Sequence, residues 1–316
     1  MDKNAKIYIA GHSGMVGSAV LRRLKNEGYD NFIFRSHKEL DLINQNEVTQ
    51  FFNEEKPEIV FIAAAKVGGI QANNMYRGQF LYENLIIQSN IIHAAHINNV
   101  NKLMFLGSSC IYPRNAPQPI KEEYLLSGEL EPTNEPYAIA KISGIKMCEN
   151  YYKQYGDNFI SVMPNNLYGP YDNFNLETSH VLPALLRKFH EAKINNKKSV
   201  EVWGSGNPKR EFLHVDDLAD ACIYLMNNLD SVELYSKNIS HINIGSGEEV
   251  SIKELALLIK NVVGFKGDLV FNTEHPDGMP RKLLDVSILN NMDWKSKIKL
   301  DGGLKSVYNW YLKNTA

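Results

Sequence analysis

Tyr137 and Lys141 stand four residues apart in a stretch of helical pattern, so both side chains lie on one face. A free phenol titrates at about 10, too high for ready proton exchange at neutrality, and a neighbouring ammonium is expected to lower it. Such a pair suits protonation of an oxygen whose carbon receives a hydride. Tyr-x-x-x-Lys alone more often means a packed tyrosine and a solvated lysine. The preceding segment changes that reading. A strand-like run, Lys102 to Gly107, ends in Gly107-Ser108-Ser109-Cys110, and strand ends of this kind open on the cleft of a doubly wound sheet. Ser108 would there hydrogen-bond a carbonyl under reduction. Cys110 would elsewhere be a small buried apolar side chain. At this strand end, two residues beyond Ser108, the packing reading gives way.

A second constellation lies near the N-terminus. The run Lys6 to Ala10 leads into Gly11-His12-Ser13-Gly14-Met15-Val16-Gly17 and then a helical pattern from Ser18 to Glu27. Glycines at such a turn let a diphosphate approach the backbone and rest on the helix N-terminus, where free N–H groups and the dipole favour negative charge. The glycines alone fit any tight turn; the flanking strand and helix favour dinucleotide binding. The next strand-like run, Asn31 to Arg35, continues as Ser36-His37-Lys38, with no acid to hold a ribose 2′-hydroxyl. That basic end favours NADP(H), whose 2′-phosphate would pair with Arg35.

These groups need a scaffold. Strand-like runs at Lys6 to Ala10, Asn31 to Arg35, Glu58 to Ala64, Lys102 to Gly107 and Phe159 to Met163 alternate with segments long enough for crossover helices. The pattern predicts an α/β fold with a Rossmann-type doubly wound parallel sheet. Pro136 marks a helix start and Gly156 its end. Beyond Met163 come loops, a helix over Val181 to Lys193, a strand over Val200 to Trp203, and shorter elements to Tyr311. Residues 1–164 are expected to form the main part of an NADP-binding domain. Residues 165–316 are expected to form mainly a smaller C-terminal substrate-binding lobe, with some segments returning to the first domain.

A chain of 316 residues with 44% apolar content and a net charge of −2 buries a full core and points to neither nucleic acid nor membrane as a partner. No apolar stretch approaches the ~20 residues that span a bilayer. The three cysteines, Cys110, Cys148 and Cys222, lack metal-ligand spacing, and no metal is expected. Their odd number and the lack of a signal-peptide core suit the cytoplasm. Cys148 and Cys222 fall in helical patterns and read as packing.

The glycine turn, Ser108, Tyr137 and Lys141 resemble the extended short-chain dehydrogenase/reductase family. More specific blocks are Ala63-Ala64-Ala65-Lys66-Val67-Gly68-Gly69-Ile70, Gly107-Ser108-Ser109-Cys110-Ile111-Tyr112-Pro113 and Glu131-Pro132-Thr133-Asn134-Glu135-Pro136-Tyr137, then Asn166-Leu167-Tyr168-Gly169-Pro170 and Trp203-Gly204-Ser205-Gly206. In order, across residues 6 to 311, they resemble the GDP-L-fucose synthase branch of that family.

The resemblance implies inversion of GDP-4-keto-6-deoxy-D-mannose at carbons 3 and 5, followed by NADPH-dependent reduction at carbon 4. Both inverted carbons are acidified by the neighbouring ketone. It assigns reduction to Ser108, Tyr137 and Lys141, and proton removal and return to Cys110 and His180, without saying which acts at which carbon. A thiol and an imidazole, at about 8.5 and 6.5, need modest shifts for this work. It assigns NADP(H) to Gly11, Ser13, Gly14, Met15, Val16, Gly17, Arg35, His37, Asp41 and Leu42, to Leu106, Gly107, Ser108, Ser109 and Lys141, and to Pro164, Asn165, Asn166, Leu167 and His180. Lys188, Trp203, Arg210 and Asp277 are assigned to the GDP-sugar. Read without the resemblance, those four are equally a solvated lysine, a core aromatic, a surface ion pair and a loop acid.

Two positions depart from the family pattern: Ser13 and His37 stand where arginine is common, which leaves more of the 2′-phosphate contact to Arg35. The resemblance also implies a homodimer that pairs the long, partly apolar patterns Asn73 to Asn98 and Pro136 to Tyr155 into a four-helix bundle. The rival readings are a sugar-nucleotide 4-epimerase, a 4,6-dehydratase and a cofactor-sensing regulator. They predict, respectively, a small residue at Cys110, Asp-Glu after the strand-end serine, and loss of the Tyr/Lys pair.

Overall fold

The structure, a computed structural model, describes residues 1–275 and 277–315, the side chains at 70 and 71 apart. The chain opens with β1 (Ile7–Ala10), α1 (Met15–Asn26), β2 (Phe32–Ile33), α2 (Gln45–Glu55) and β3 (Ile59–Ile62). There follow α3 (Ile70–Met75), α4 (Arg77–Ile97), β4 (Lys102–Leu106), α5 (Glu135–Tyr155), β5 (Phe159–Pro164) and β6 (Asn166–Tyr168). Next are α6 (Val181–Ile194), β7 (Ser199–Trp203), β8 (Lys209–His214), α7 (Val215–Asn228), α8 (Ser231–Tyr235) and β9 (Ile242–Ile244). The chain closes with β10 (Glu249–Ser251), α9 (Ile252–Val263), β11 (Asp268–Asn272), β12 (Arg281–Lys282), α10 (Ser287–Asn290) and α11 (Leu300–Asn314).

Six parallel strands form one sheet in the order β2-β1-β3-β4-β5-β9. β1, β3, β4 and β5 are buried along their whole length because helices cover both faces. The two-residue period of a strand divides the core accordingly. Ile7 and Ile9 pack with α1 and α7, while Tyr8 and Ala10 pack with α2, α4 and α5. A third core, of Leu182, Leu186, Phe189, Val202, Leu255, Ile259 and Val307, holds α6, α9 and α11 against β7 and β8. That lobe faces the carboxyl ends of the large sheet.

The predicted strands all form, the first four shortened at their ends and those at Phe159–Pro164 and Ser199–Trp203 each one residue longer than expected, and the helix ending at Gly156 closes with that residue at φ 81°. The single pattern expected over Asn73 to Asn98 is instead two helices, α3 and α4, because Tyr76 between them leaves helical geometry at φ −108°, ψ 38°. Beyond Met163, β9 rejoins the large sheet beside β5, carried back by α7 and α8. Among the described residues no helix is long and apolar enough to cross a membrane.

Candidate active site

Strand order reverses direction between β1 and β3, and a cleft of about 1700 Å³ opens there between the sheet's carboxyl ends and the lobe. Every residue expected to touch cofactor or substrate lines it.

At one end, the turn after β1 demands glycine. Gly11 has φ +82°, and a Cβ there would sit 2.8 Å from the Ala64 amide nitrogen. Gly14 is the N-cap of α1 without any side-chain cap, and the first turn carries no acid. The opening N–H groups of α1 are therefore available to an anion, which fits the diphosphate of a dinucleotide. Arg35 does not reach out alone. Its guanidinium pairs with Glu55 and donates to the Phe34 carbonyl at 2.7 Å, which fixes the fork at the cleft rim with its other N–H groups unused among the described residues. His37 is exposed and lies 4.0 Å from Asp41; Ser13 is also exposed.

At the other end, α5 presents Tyr137 and Lys141 beneath β4. Lys141 Nζ donates to the Leu106 carbonyl at 2.8 Å and lies 5.8 Å from the Tyr137 ring centroid. The expected lowering of the phenol is overturned. Burial dominates and pushes Tyr137 well above its ordinary value, and the nearby Cys110 adds to the rise. The same burial lowers the Lys141 ammonium to about 8. The resting pair is thus a protonated phenol beside a hydrogen-bonded lysine.

Ser108 is extended, and its Oγ accepts from the Cys110 amide at 3.5 Å, starting a single 3-10 turn over Ser109–Ile111. That turn buries Cys110 to 8% exposure. Burial raises its thiol, opposed first by the charge of Lys282, then by Ser108 and Lys141. Desolvation within the cleft pushes His180, the N-cap of α6, below its ordinary value, and Lys282 adds to that fall. The poise near neutrality expected from free-group values is therefore replaced by a protonated thiol and a neutral imidazole. Ser109 Oγ donates to Asn165 at 3.2 Å, and Asn165 in turn donates to the buried carboxylate of Glu211.

The lobe supplies Lys188, Trp203, Arg210 and Asp277. Trp203 stacks on His275 with centroids 4.4 Å apart and planes at 21°, and Lys188 Nζ lies 4.6 Å from its ring. Asp277 accepts from the Ser205 amide at 2.9 Å and its hydroxyl at 2.7 Å, which hold its carboxyl below the ordinary range. Arg210 lies beside Lys282 in the β8–β12 pairing. Lys282 was missed by sequence reasoning: it stands on a two-residue strand without a local motif.

The NAD dependent epimerase/dehydratase family matches residues 7–245, and the chain belongs to that family. Within it, "Putative GDP-L-fucose synthase 2" of Arabidopsis thaliana is 59% identical over 99% of this chain and 94% of its own length. GDP-L-fucose synthase of Escherichia coli (strain K12) is 56% identical over 98% and 97%. Among solved structures, the GDP-mannoheptose C4 reductase of Campylobacter jejuni with NADP bound is 50% identical, covers 99% of both chains and superposes with a TM-score of 0.91.

Proposed function

We propose that this enzyme inverts carbons 3 and 5 of GDP-4-keto-6-deoxy-D-mannose and reduces carbon 4 with NADPH, forming GDP-L-fucose. One observation carries the reading. A buried cysteine and a histidine line the same cleft as the Ser108, Tyr137 and Lys141 set, so proton transfer beside a ketone and reduction of that ketone have their groups in one place.

NADPH supplies the hydride for carbon 4. Tyr137 holds the proton that the new oxygen at carbon 4 requires, and burial keeps it on the phenol until that oxygen becomes basic. Lys141 keeps a positive charge near the ring, and Ser108 offers a hydroxyl to the carbonyl. Cys110 and His180 exchange protons at carbons 3 and 5. Lys188 and Arg210 offset the diphosphate, while Trp203 and Asp277 bound the nucleotide side of the cleft. The direct test incubates protein, NADPH and GDP-4-keto-6-deoxy-D-mannose and identifies the product by NMR; GDP-L-fucose is expected. The likeness to a GDP-mannoheptose C4 reductase favours a second reading, a pure 4-reductase of a GDP-heptose. In that case the same NMR experiment returns the fucose precursor without inversion at carbons 3 and 5.

Arg35→Ala should weaken NADPH binding roughly tenfold or more, the scale of a lost charge-assisted hydrogen bond of about 1.5–3 kcal/mol, and leave NADH nearly unchanged. Cofactor titration by fluorescence quenching measures both; equal losses would remove Arg35 from 2′-phosphate recognition.

The active form is a homodimer in the cytoplasm. Met75, Tyr76, Tyr82 and Ile97 on or beside α3 and α4, and Ile139 and Tyr155 on α5, are large apolar side chains left exposed, and these two helical segments pack on each other within the chain. Light scattering at micromolar concentration should give twice the chain mass, and a monomer mass would count against the pairing.

A further inference from the structure

Lys282 occupies a position that the chemistry so far leaves without a use. It lines the cleft as a half-buried ammonium, with no hydrogen-bond acceptor or ion-pair partner for Nζ among the described residues. Burying a charge without a partner is costly, and such a group calls for a reason. The charged and titratable groups around it are Cys110, His180, Arg210 and Glu131. Glu131 is already engaged, by Arg114 Nε at 3.4 Å and by the Thr133 amide and hydroxyl. Arg210 repels Lys282, which leaves Cys110 as the neighbour able to become its counter-ion.

The backbone holds Lys282 firmly in this place. It pairs with Arg210 across β8 and β12. The next two residues are fastened in turn: the Leu283 amide donates to Gln118 at 2.8 Å and the Leu284 amide to Glu211 at 3.0 Å. Ile120 donates to the Leu283 carbonyl at 2.8 Å and receives from the Asp285 amide at 2.8 Å. Gln118 and Ile120 belong to the segment that leaves the Cys110 turn, so the strand carrying the ammonium and the loop carrying the thiol are stitched together.

We propose that Lys282 is the positioning residue for proton transfer at carbons 3 and 5: its ammonium is the counter-ion that lets Cys110 act as a thiolate base and makes protonated His180 a stronger acid. The proposal rests on the epimerase reading of the site. In the step it supports, the substrate C–H bond breaks, its proton joins Cys110 Sγ, and the electron pair moves onto the ketone oxygen; a proton then returns to carbon from the opposite face. One fixed cation favours both the thiolate and release of the imidazolium proton. Around Cys110 the other groups are Ser108, Lys141 and Tyr137, and of the two lysines Lys282 acts more strongly on the thiol.

The test separates this role from packing and from the epimerase reading. Alkylation of Cys110 by iodoacetamide, followed across pH by peptide mass spectrometry, requires no sugar substrate. Lys282→Met should shift the midpoint upward and slow alkylation at pH 8 about tenfold, while Lys282→Arg keeps the native profile. Deuterium exchange at carbons 3 and 5 should fall in parallel for Lys282→Met, with NADPH binding unchanged. Identical alkylation profiles for native protein and Lys282→Met would overturn the proposal; shifted profiles with no exchange in any form would sink the epimerase reading instead. A reciprocal measurement needs no lysine variant. In protein reductively methylated with carbon-13, the Lys282 resonance should titrate at lower pH in Cys110→Ser than in the native cysteine form, and an unmoved resonance would equally overturn the coupling.

Discussion

Cys110→Ser should slow hydrogen exchange at carbons 3 and 5 by about 10² or more, the usual cost of losing a positioned base. Incubated in deuterated water with GDP-4-keto-6-deoxy-D-mannose and without NADPH, the native enzyme should incorporate deuterium at both carbons. Serine has nearly the same size, so the turn at Ser109–Ile111 and the Tyr137–Lys141 pair should stay in place. What changes is ionisation: a hydroxyl is hardly deprotonated at neutral pH, and the burial that already raises the Cys110 thiol would hold a hydroxyl proton tighter still. With NADPH present, the variant should reduce the uninverted ketone slowly and yield a D-configured 6-deoxy sugar nucleotide, resolved from GDP-L-fucose by NMR. Deuterium exchange and GDP-L-fucose formation at native rates would return Cys110 to a packing role.

Tyr137→Phe should produce the complementary loss. Reduction at carbon 4, followed by nicotinamide absorbance, should fall by about 10² to 10⁴, the usual scale for a missing positioned acid, while exchange at carbons 3 and 5 continues. Burial raises the phenol, so Tyr137 should stay protonated throughout the neutral range, as its proposed role as the acid in the reductive direction requires. The pH profile of reduction should therefore carry no ionisation of Tyr137 between pH 6 and 8. Lys141, lowered to about 8, is the group whose loss of charge should depress the rate on the alkaline side. Undiminished reduction by the phenylalanine variant would remove Tyr137 from the mechanism. Together the two substitutions divide the reaction at its chemical seam, one stopping carbon acid chemistry and the other hydride acceptance.

Local pattern makes much of this legible in the sequence itself. The buried strands of the large sheet read as apolar β-branched runs because both of their faces are covered, and Gly11 to Gly17 read as a phosphate turn because a strand precedes it and a helix follows. Tyr137 and Lys141 share a face for no reason beyond helical spacing. Each of these depends on residues close in sequence, where backbone geometry alone relates side chains.

Other features belong to the tertiary structure, because they depend on which distant segments meet. β9 joins the sheet beside β5 through backbone pairing that its three residues do not advertise. Tyr76 interrupts a pattern that periodicity alone would carry through, and Glu55, at the end of α2, comes to fix Arg35. The protonation states were decided there as well: free-group values place a phenol, a thiol and an imidazole by type, whereas desolvation moves all three and the ammonium of Lys282 opposes the shift of the thiol and reinforces that of the imidazole. Sequence determined which chemical groups the cleft would hold. Desolvation and long-range charge, which exist only once the chain has closed around them, decided what each group carries at rest.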